Sequence, residues 1–125
     1  MSKIQMNIWG REFNLEVYFK KYQGKELTEM QKESYESFVE KNVVNEQSLK
    51  KLTSFIEKEY KDNLQERNIE NIFKYVIPKM IYVPNKSQKR TVALLCNFKF
   101  ENEHGLALVY ENEKLANIVL QDEIL

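Results

Sequence analysis

Alternating apolar residues near both ends of the chain constrain its fold more than any other feature. In 91-TVALLCNFKF-100 every second residue from Val92 to Phe100 is apolar, so these residues would share one face. The alternation resumes after the tip 101-ENEHG-105, in 106-LALVY-110. Such period-two patterns indicate strands that bury one face. A single face is formed when Phe100 pairs with Leu106, Phe98 with Leu108 and Cys96 with Tyr110. The sequence therefore predicts a hairpin with residues 101–105 as its loop.

The closing strand and the N-terminal segment show the same alternation. A turn around 112–114 would return Ala116, Ile118 and Leu120 to the same face if its loop has an odd number of residues. Near the N-terminus, Gly10-Arg11 suits a type II′ turn. That turn predicts a hairpin in which Ile8 faces Phe13, Met6 faces Leu15 and Ile4 faces Val17.

Helical spacing replaces the alternation in the middle of the chain. Thr28 and Gln31 form a capping-box pattern before an amphipathic helix predicted over roughly 29–42. Asn45 is the predicted cap of a second helix that ends near residues 62–63. Asn68 is the predicted cap of a third, shorter helix, which Pro78 would end. Its apolar residues would be Ile69, Ile72, Phe73 and Val76.

The order of these elements predicts a single α+β domain over residues 1–125. An N-terminal β-hairpin, about three helices and an antiparallel β-meander follow one another, the meander beginning with a short strand from Met80 to Val83. Segregated strands and helices favour helices packed on one face of a mainly antiparallel sheet. The opposite face is more apolar than solvent exposure alone allows, so we expect partial self-cover or a second copy in a homodimer. Its residues are Ala93, Leu95, Ala107, Val109, Leu115 and Val119.

Composition narrows the class of protein. Of the 125 residues 42% are apolar, and 19 basic residues balance 19 acidic ones. This balance gives no overall field for nucleic acid or anionic lipid, and we expect neither as a partner. No run of about 18 apolar residues and no apolar secretory segment is present, so we expect no membrane association. The single cysteine favours a reducing, cytoplasmic location.

The charges are nevertheless unevenly distributed. Residues 74–100 hold six basic and no acidic residues, whereas residues 101–125 hold six acidic residues and one basic. Either opposite charges lie across neighbouring strands, or the surface is polarised for a charged partner. In the second case the tip 84-PNKSQKR-90 would meet an acidic surface.

The only histidine, His104, lies at the 101–105 tip beside Glu103 and near Glu101. One histidine and one cysteine are too few for a structural zinc site, so neither metal nor cofactor is predicted. A catalytic role would require Glu103, His104 and Asp122 to converge in a pocket. Otherwise His104 is a turn residue beside a glycine. Glu101, Glu103 and His104 are candidates for binding a partner.

Cys96 and Trp9 are the other residues with reactive or adhesive side chains. In the predicted hairpin Cys96 lies on the buried face, on the order of 15 Å from the tip, which is too far to pair with His104. An inert, buried thiol is therefore expected. Trp9 borders the first turn and is a candidate anchor for a partner. Nucleotide-binding and hydrolase motifs (GxGxxG, the P-loop, GxSxG) do not occur.

The C-terminal run resembles a family of small, uncharacterised bacterial cytosolic proteins. An aromatic-containing strand there leads into a Glu-His-Gly turn, an apolar strand, a polar turn and a closing strand with Gln-Asp. The matching residues are Phe98, Glu103, His104, Gly105, Leu106, Val109, Glu111, Asn112, Lys114, Gln121 and Asp122. NIFKYVIPK resembles the family too, and IWGREFNLEV does so loosely. Glu113 and Val119-Leu120 depart from glycines common in relatives.

The resemblance implies a binding role, since related domains are linked to bacterial toxin–immunity systems. With the balanced charge and the incomplete catalytic set, it favours a non-enzymatic protein-binding or interaction domain, of immunity type. A small enzyme or ligand-binding protein using the Glu103/His104/Asp122 region is one alternative. A structural homodimer is the other.

Overall fold

The computed structural model describes residues 2–22, 24–86 and 88–125. Six strands form one sheet in sequential order, with β2 and β3 parallel and every other neighbouring pair antiparallel. They are β1 (Ser2–Ile8), β2 (Arg11–Phe19), β3 (Val76–Val83), β4 (Thr91–Phe98), β5 (Leu106–Glu111) and β6 (Lys114–Leu120). Two helices, α1 (Glu29–Glu40) and α2 (Glu46–Glu59), lie in the crossover that a parallel pair requires. The α+β class, the N-terminal hairpin and the mostly antiparallel sheet are confirmed.

The first hairpin has the predicted face but not the predicted turn. Trp9 and Gly10 are its central residues, both with positive φ (51° and 89°), as in a type I′ turn. Met6 consequently pairs with Phe13 and Ile4 with Leu15, two residues away from the predicted register. A tertiary hydrogen bond compensates the cost of the left-handed backbone conformation of Trp9, because the indole Nε1 donates to the Asn45 carbonyl at 3.0 Å.

Both predicted caps are confirmed at the starts of the two helices. The Thr28 hydroxyl accepts from the Gln31 amide, and the Gln31 side chain accepts from the Thr28 amide. The Asn45 carboxamide oxygen accepts from the amides of Gln47 and Ser48, each at 3.1 Å. These caps depend on neighbours in sequence, which is why the pattern alone located them.

The predicted third helix is wrong. Asn71, not Asn68, caps a single 3₁₀ turn (Ile72–Lys74), and β3 begins already at Val76 instead of Met80. Val76 and Ile77 are β-branched and precede a proline, a combination that favours extended backbone. Pro78 is accommodated by a β-bulge between Pro78 and Met80.

The predicted register of β4 and β5 is also wrong. Cys96, not Phe100, pairs with Leu106, so the connection runs from residue 99 to residue 105. Phe98 pairs instead with Val76 of β3 on the other side of β4. The shift of four residues leaves the buried face unchanged, because side chains alternate with a period of two.

The last hairpin confirms the predicted face of Ile118 and Leu120. Its turn has two central residues, Asn112 and Glu113, both in the left-handed region (φ 49° and 65°). Leu115, not Ala116, therefore faces Tyr110, and the register shifts by one at the next step, so that Ile118 faces Leu108. The extra residue of this bulge has the effect of the odd-length loop that the pattern required.

The helices cover only one face of the sheet. The main core, between α1, α2 and the sheet, includes Phe38, Leu52 and Ile56 from the helices. A second apolar cluster lies on the other side of the sheet, called here the outer face, and it includes no residue of α1 or α2. It contains Tyr82, Ala93, Leu95, Ala107 and Val109, with Met80, Val119 and Ile124 packed against it. Ile124 gives this face partial self-cover, whereas Leu115 joins the main core through the β6 bulge.

Candidate functional site

The loop after β4 meets a second 3₁₀ turn (Gln121–Glu123) at Gly105. Gly105 is buried, has φ +62°, and donates its amide to the Glu101 carbonyl at 2.7 Å. A Cβ at this position would lie 2.7 Å from the Cys96 carbonyl oxygen and would collide with Nε2 of Gln121. Glycine is therefore required here by both backbone conformation and space.

Gln121 occupies the space that Gly105 leaves. Its Nε2 donates to the carbonyl of Cys96 at 3.0 Å and to that of Leu106 at 3.4 Å. Gln121 thus satisfies carbonyl groups at the point where β4 and β5 begin to pair. The Gly and Gln of the two sequence motifs form one structural unit.

His104 and Asp122 are brought together beside this unit. His104 Nδ1 lies 2.8 Å from Asp122 Oδ2, although the side chains remain 45% and 66% exposed. Glu103 is exposed on the same loop, while Glu101 is half-buried. A catalytic role was predicted to require the convergence of Glu103, His104 and Asp122 in a pocket, and the structure brings His104 and Asp122 into contact.

The pair has part of the chemistry of an acid–base site. Asp122 orients the imidazole through Nδ1, which leaves Nε2 directed elsewhere, as in a histidine–carboxylate dyad. Neither side chain lines any of five pronounced clefts that the described residues form. No group of three His, Cys, Asp or Glu side chains in that part of the chain has the arrangement of a metal site.

Cys96 is fully buried and adjoins the Gly105 unit through its backbone carbonyl. The predicted 15 Å separation from the tip is wrong, because Cys96 faces Leu106 directly. Burial raises the pKa of its thiol well above the ordinary range. Desolvation therefore keeps the thiol protonated and unreactive, a stronger reason than distance.

Trp9 is half-buried and packs against the main core. Its ring centroid lies 6.1 Å from that of Phe73, and its indole is bound to the start of α2. These contacts hold the first hairpin against α2. They give Trp9 a structural role, and part of its surface stays exposed.

The uneven charges are partly neutralised across strands. Arg90 makes a bidentate pair with Glu113 (2.7 and 2.9 Å), and Lys89 Nζ lies 3.4 Å from Glu111. The hydrogen bond from Arg90 lowers the pKa of the Glu113 carboxyl. Opposite charges therefore do lie across from each other at this end of the sheet, although other lysines nearby are not matched in this way.

A tyrosine cluster occupies the outer face where β2 and β3 end. The rings of Tyr18 and Tyr82 stack at 5.8 Å with an interplanar angle of 7°. Burial, followed by the proximity of Tyr18 and Tyr22, raises the pKa of Tyr82. Tyr18 and Tyr22 are 41% and 61% exposed, whereas Tyr82 is buried. This cluster was not predicted as a site for protein binding, although Tyr18 and Tyr22 lie at an even spacing in the sequence.

A polar cleft of about 430 Å³ lies at the opposite end of β3. Its lining residues are Asn63, Gln65, Glu66, Lys74, Tyr75, Lys99 and Phe100. The Tyr75 hydroxyl donates to the Glu66 carboxylate, which raises the pKa of Tyr75 to about 12 and lowers that of Glu66. Lys74 Nζ lies 3.6 Å from the same carboxylate. These contacts bind the segment around Glu66 to the end of the first 3₁₀ turn, just before β3.

Across the residues that the structure describes, no helix combines the length and apolarity needed to span a membrane. Fold and site together define a small α+β domain in which a Glu-His-Gly loop is tied to a Gln-Asp turn. The chain belongs to a family of domains of unknown function, DUF6985, which matches residues 1–125. No curated protein and no solved structure matches the chain.

Proposed function

We propose that this protein is a non-enzymatic interaction domain that binds another protein through the outer face of its sheet. The observation that favours this function is the outer face itself. It holds a second apolar cluster whose side chains are at most 7% exposed, although α1 and α2 lie on the other side of the sheet. Tyr18 and Tyr22, two of the three exposed large hydrophobic residues in the described chain, are found at its edge. Exposed tyrosines around an apolar centre are typical of protein interfaces.

The contacts of the Glu-His-Gly unit support a structural interpretation of this sequence motif over a catalytic one. Gly105 and Gln121 close the end of β4 and β5, and the His104–Asp122 pair lies on the exposed side of this closure. General acid–base catalysis benefits from a partly desolvated pocket, which strengthens interactions with the reacting groups. A pair in open solvent is better suited to holding the loop, or to a rim contact with a partner.

The finer form of the proposal is an immunity-type protein in the bacterial cytoplasm. Its support is the sequence resemblance to domains linked to toxin–immunity systems. Such a protein would bind one toxin tightly. Coexpression with the product of a neighbouring gene tests this form: protection of the cells supports it, and unchanged killing contradicts it.

Affinity purification from the native cell tests the binding function. The tagged full chain should recover one protein in stoichiometric amount, and the two should co-elute in size-exclusion chromatography after separate purification. The tag alone is the control. Recovery of no stoichiometric protein, or separate elution of the purified pair, would contradict a protein-binding function.

A second candidate function is a small enzyme using His104, Asp122 and Glu103. The 2.8 Å contact between His104 and Asp122 is the specific observation that favours it. A substrate screen should then find a turnover that His104→Ala and Asp122→Asn both abolish, with Glu123→Gln as a neighbouring control. Activity that survives both changes would refute this assignment.

A homodimer is the third candidate, with a second copy on the outer face. Sedimentation at micromolar concentration should give a dimer whose dissociation constant rises when Tyr18 is replaced by alanine. A monomer at every concentration would remove this candidate.

A further inference from the structure

Two loops leave the sheet side by side at the ends of β2 and β3. The Lys20 amide donates to the Val83 carbonyl at 2.9 Å, so the two segments remain paired for one residue beyond β2. The buried Gln31 side chain donates to the carbonyls of Lys20 (2.7 Å) and Val83 (3.3 Å). This polar tie from α1 fixes where both loops begin.

Strand alternation then determines which side chains continue the outer face. Tyr18 lies on that face, and Lys20 follows at the next position of the same parity. On β3, Tyr82 lies beside Tyr18, and the loop that follows carries the exposed Lys86. Aromatic residues and lysines therefore lie at the same end of the sheet, where Lys86 lines a cleft together with Lys89 and Glu111.

The lysines here differ from those elsewhere in their pairing. In the described part of the two loops, Lys20, Lys21, Lys25 and Lys86 are exposed and lie in none of the ion pairs, whereas Lys89 is paired with Glu111. Glu26 is the one acidic residue within these loops. An excess of positive charge thus borders the exposed tyrosines.

Charge complementarity identifies the chemistry of a partner for this surface. Ammonium groups attract carboxylates and steer association, while tyrosines contribute rigid apolar contact and a hydroxyl group. The excess is small and local, and the outer face of β2 becomes acidic towards Glu16 and Glu12. These carboxylates would repel a long phosphate backbone but would leave room for a short acidic segment.

We propose that the tyrosine–lysine surface, formed by Tyr18, Tyr22, Tyr82, Lys20 and Lys86, binds an acidic segment of another protein. This inference rests on the proposed protein-binding function and specifies its surface and partner class.

Fluorescence anisotropy with the full chain tests the inference. The probe is a short labelled peptide of Asp and Glu around a central Leu-Leu pair, at physiological ionic strength. The double change Lys20→Glu/Lys86→Glu should weaken binding by about tenfold or more, because like charges would face the peptide. Lys58→Glu/Lys61→Glu, which alters the same charge on exposed positions near the end of α2, should leave affinity unchanged.

Tyr18→Ala separates this surface from a purely electrostatic effect. It should weaken binding while the salt dependence of the affinity stays the same, and circular dichroism should show an intact fold. Equal weakening by both lysine pairs would overturn the inference. So would tighter binding of an oligothymidine of the same charge, because the surface would then be one for nucleic acid.

The partner recovered from the native cell distinguishes this inference from the function on which it rests. If Lys20→Glu/Lys86→Glu no longer retains that partner, both are supported. If the variant retains it as well as the wild type does, protein binding stands and this surface is not its location. If the wild type itself recovers no partner, the proposed function fails.

Discussion

Replacing Gly105 with alanine should destabilise the fold more than the same change at any freely exposed turn. Two costs add at this position. A non-glycine residue at φ +62° costs about 1 to 2 kcal/mol in the left-handed region. Displacing Gln121 breaks its hydrogen bonds to the carbonyls of Cys96 and Leu106, at about 1 kcal/mol each. The expected loss in the free energy of unfolding is about 3 to 4 kcal/mol.

Gly10→Ala is the matched control. Gly10 also has positive φ (+89°), but nothing lies within 4 Å of a Cβ built on it. This change should therefore cost only the conformational part, about 1 to 2 kcal/mol. The two variants should differ by about 2 kcal/mol in urea unfolding followed by circular dichroism, or by roughly 8 °C in Tm for a chain of this length.

A double-mutant cycle tests the proposed cause. Gln121→Ala should relieve part of the collision in the Gly105→Ala background, so the two losses should be less than additive by about 1 kcal/mol. The contact with the Cys96 carbonyl would remain. If Gly105→Ala costs no more than Gly10→Ala, or if the losses simply add, the account of this unit is refuted.

Three further changes test other parts of the structure. Gln31→Leu should lose about 2 to 3 kcal/mol in urea unfolding because the buried amide bridges two strand ends, whereas the exposed Gln47→Leu should change stability by less than about 0.5 kcal/mol. Cys96 should react with a thiol reagent only as fast as the protein unfolds, since its thiol is buried and its pKa raised; immediate labelling of the native protein would contradict this. Because the pKa of Tyr75 is raised from about 10 to about 12 by its bond to Glu66, its stabilising contribution is complete below about pH 10 and is lost towards pH 12. The Tm difference between wild type and Tyr75→Phe should therefore shrink over that interval, and a constant difference would disprove the assignment.

The candidate site could be named from sequence but not assembled from it. His104, Glu103 and Asp122 were identified as residues with the right chemistry. Whether His104 meets Asp122 depends on where β6 ends and on the 3₁₀ turn that follows, and no local pattern encodes that position. Gln121 acquired its role in the same way, because the space it fills is created by Gly105, sixteen positions earlier.

The helical region shows the same division. The caps Thr28 and Asn45 were predictable since each satisfies amides two or three residues away. The segment around Ile72 and Val76 has helical spacing, yet Val76 enters the sheet beside Phe98. Tertiary pairing overrode the local periodicity there, because the apolar side chain is equally well buried in a strand.

Except at the β6 bulge, the sequence by itself determined which face of each strand packs against the helices, and the structure decided the register. Side chains alternate with a period of two, so pairings that differ by two or four residues bury the same set and cannot be distinguished by hydrophobic pattern. The register of the first hairpin differs from the predicted one by two residues, because the Trp9 indole donates to the Asn45 carbonyl at the start of α2. The register of β4 and β5 differs from the predicted one by four residues, because Phe98 pairs with β3 and Gly105 leaves space for the Gln121 side chain. In both hairpins, a contact from a distant part of the chain selected one of several equally buried alternatives.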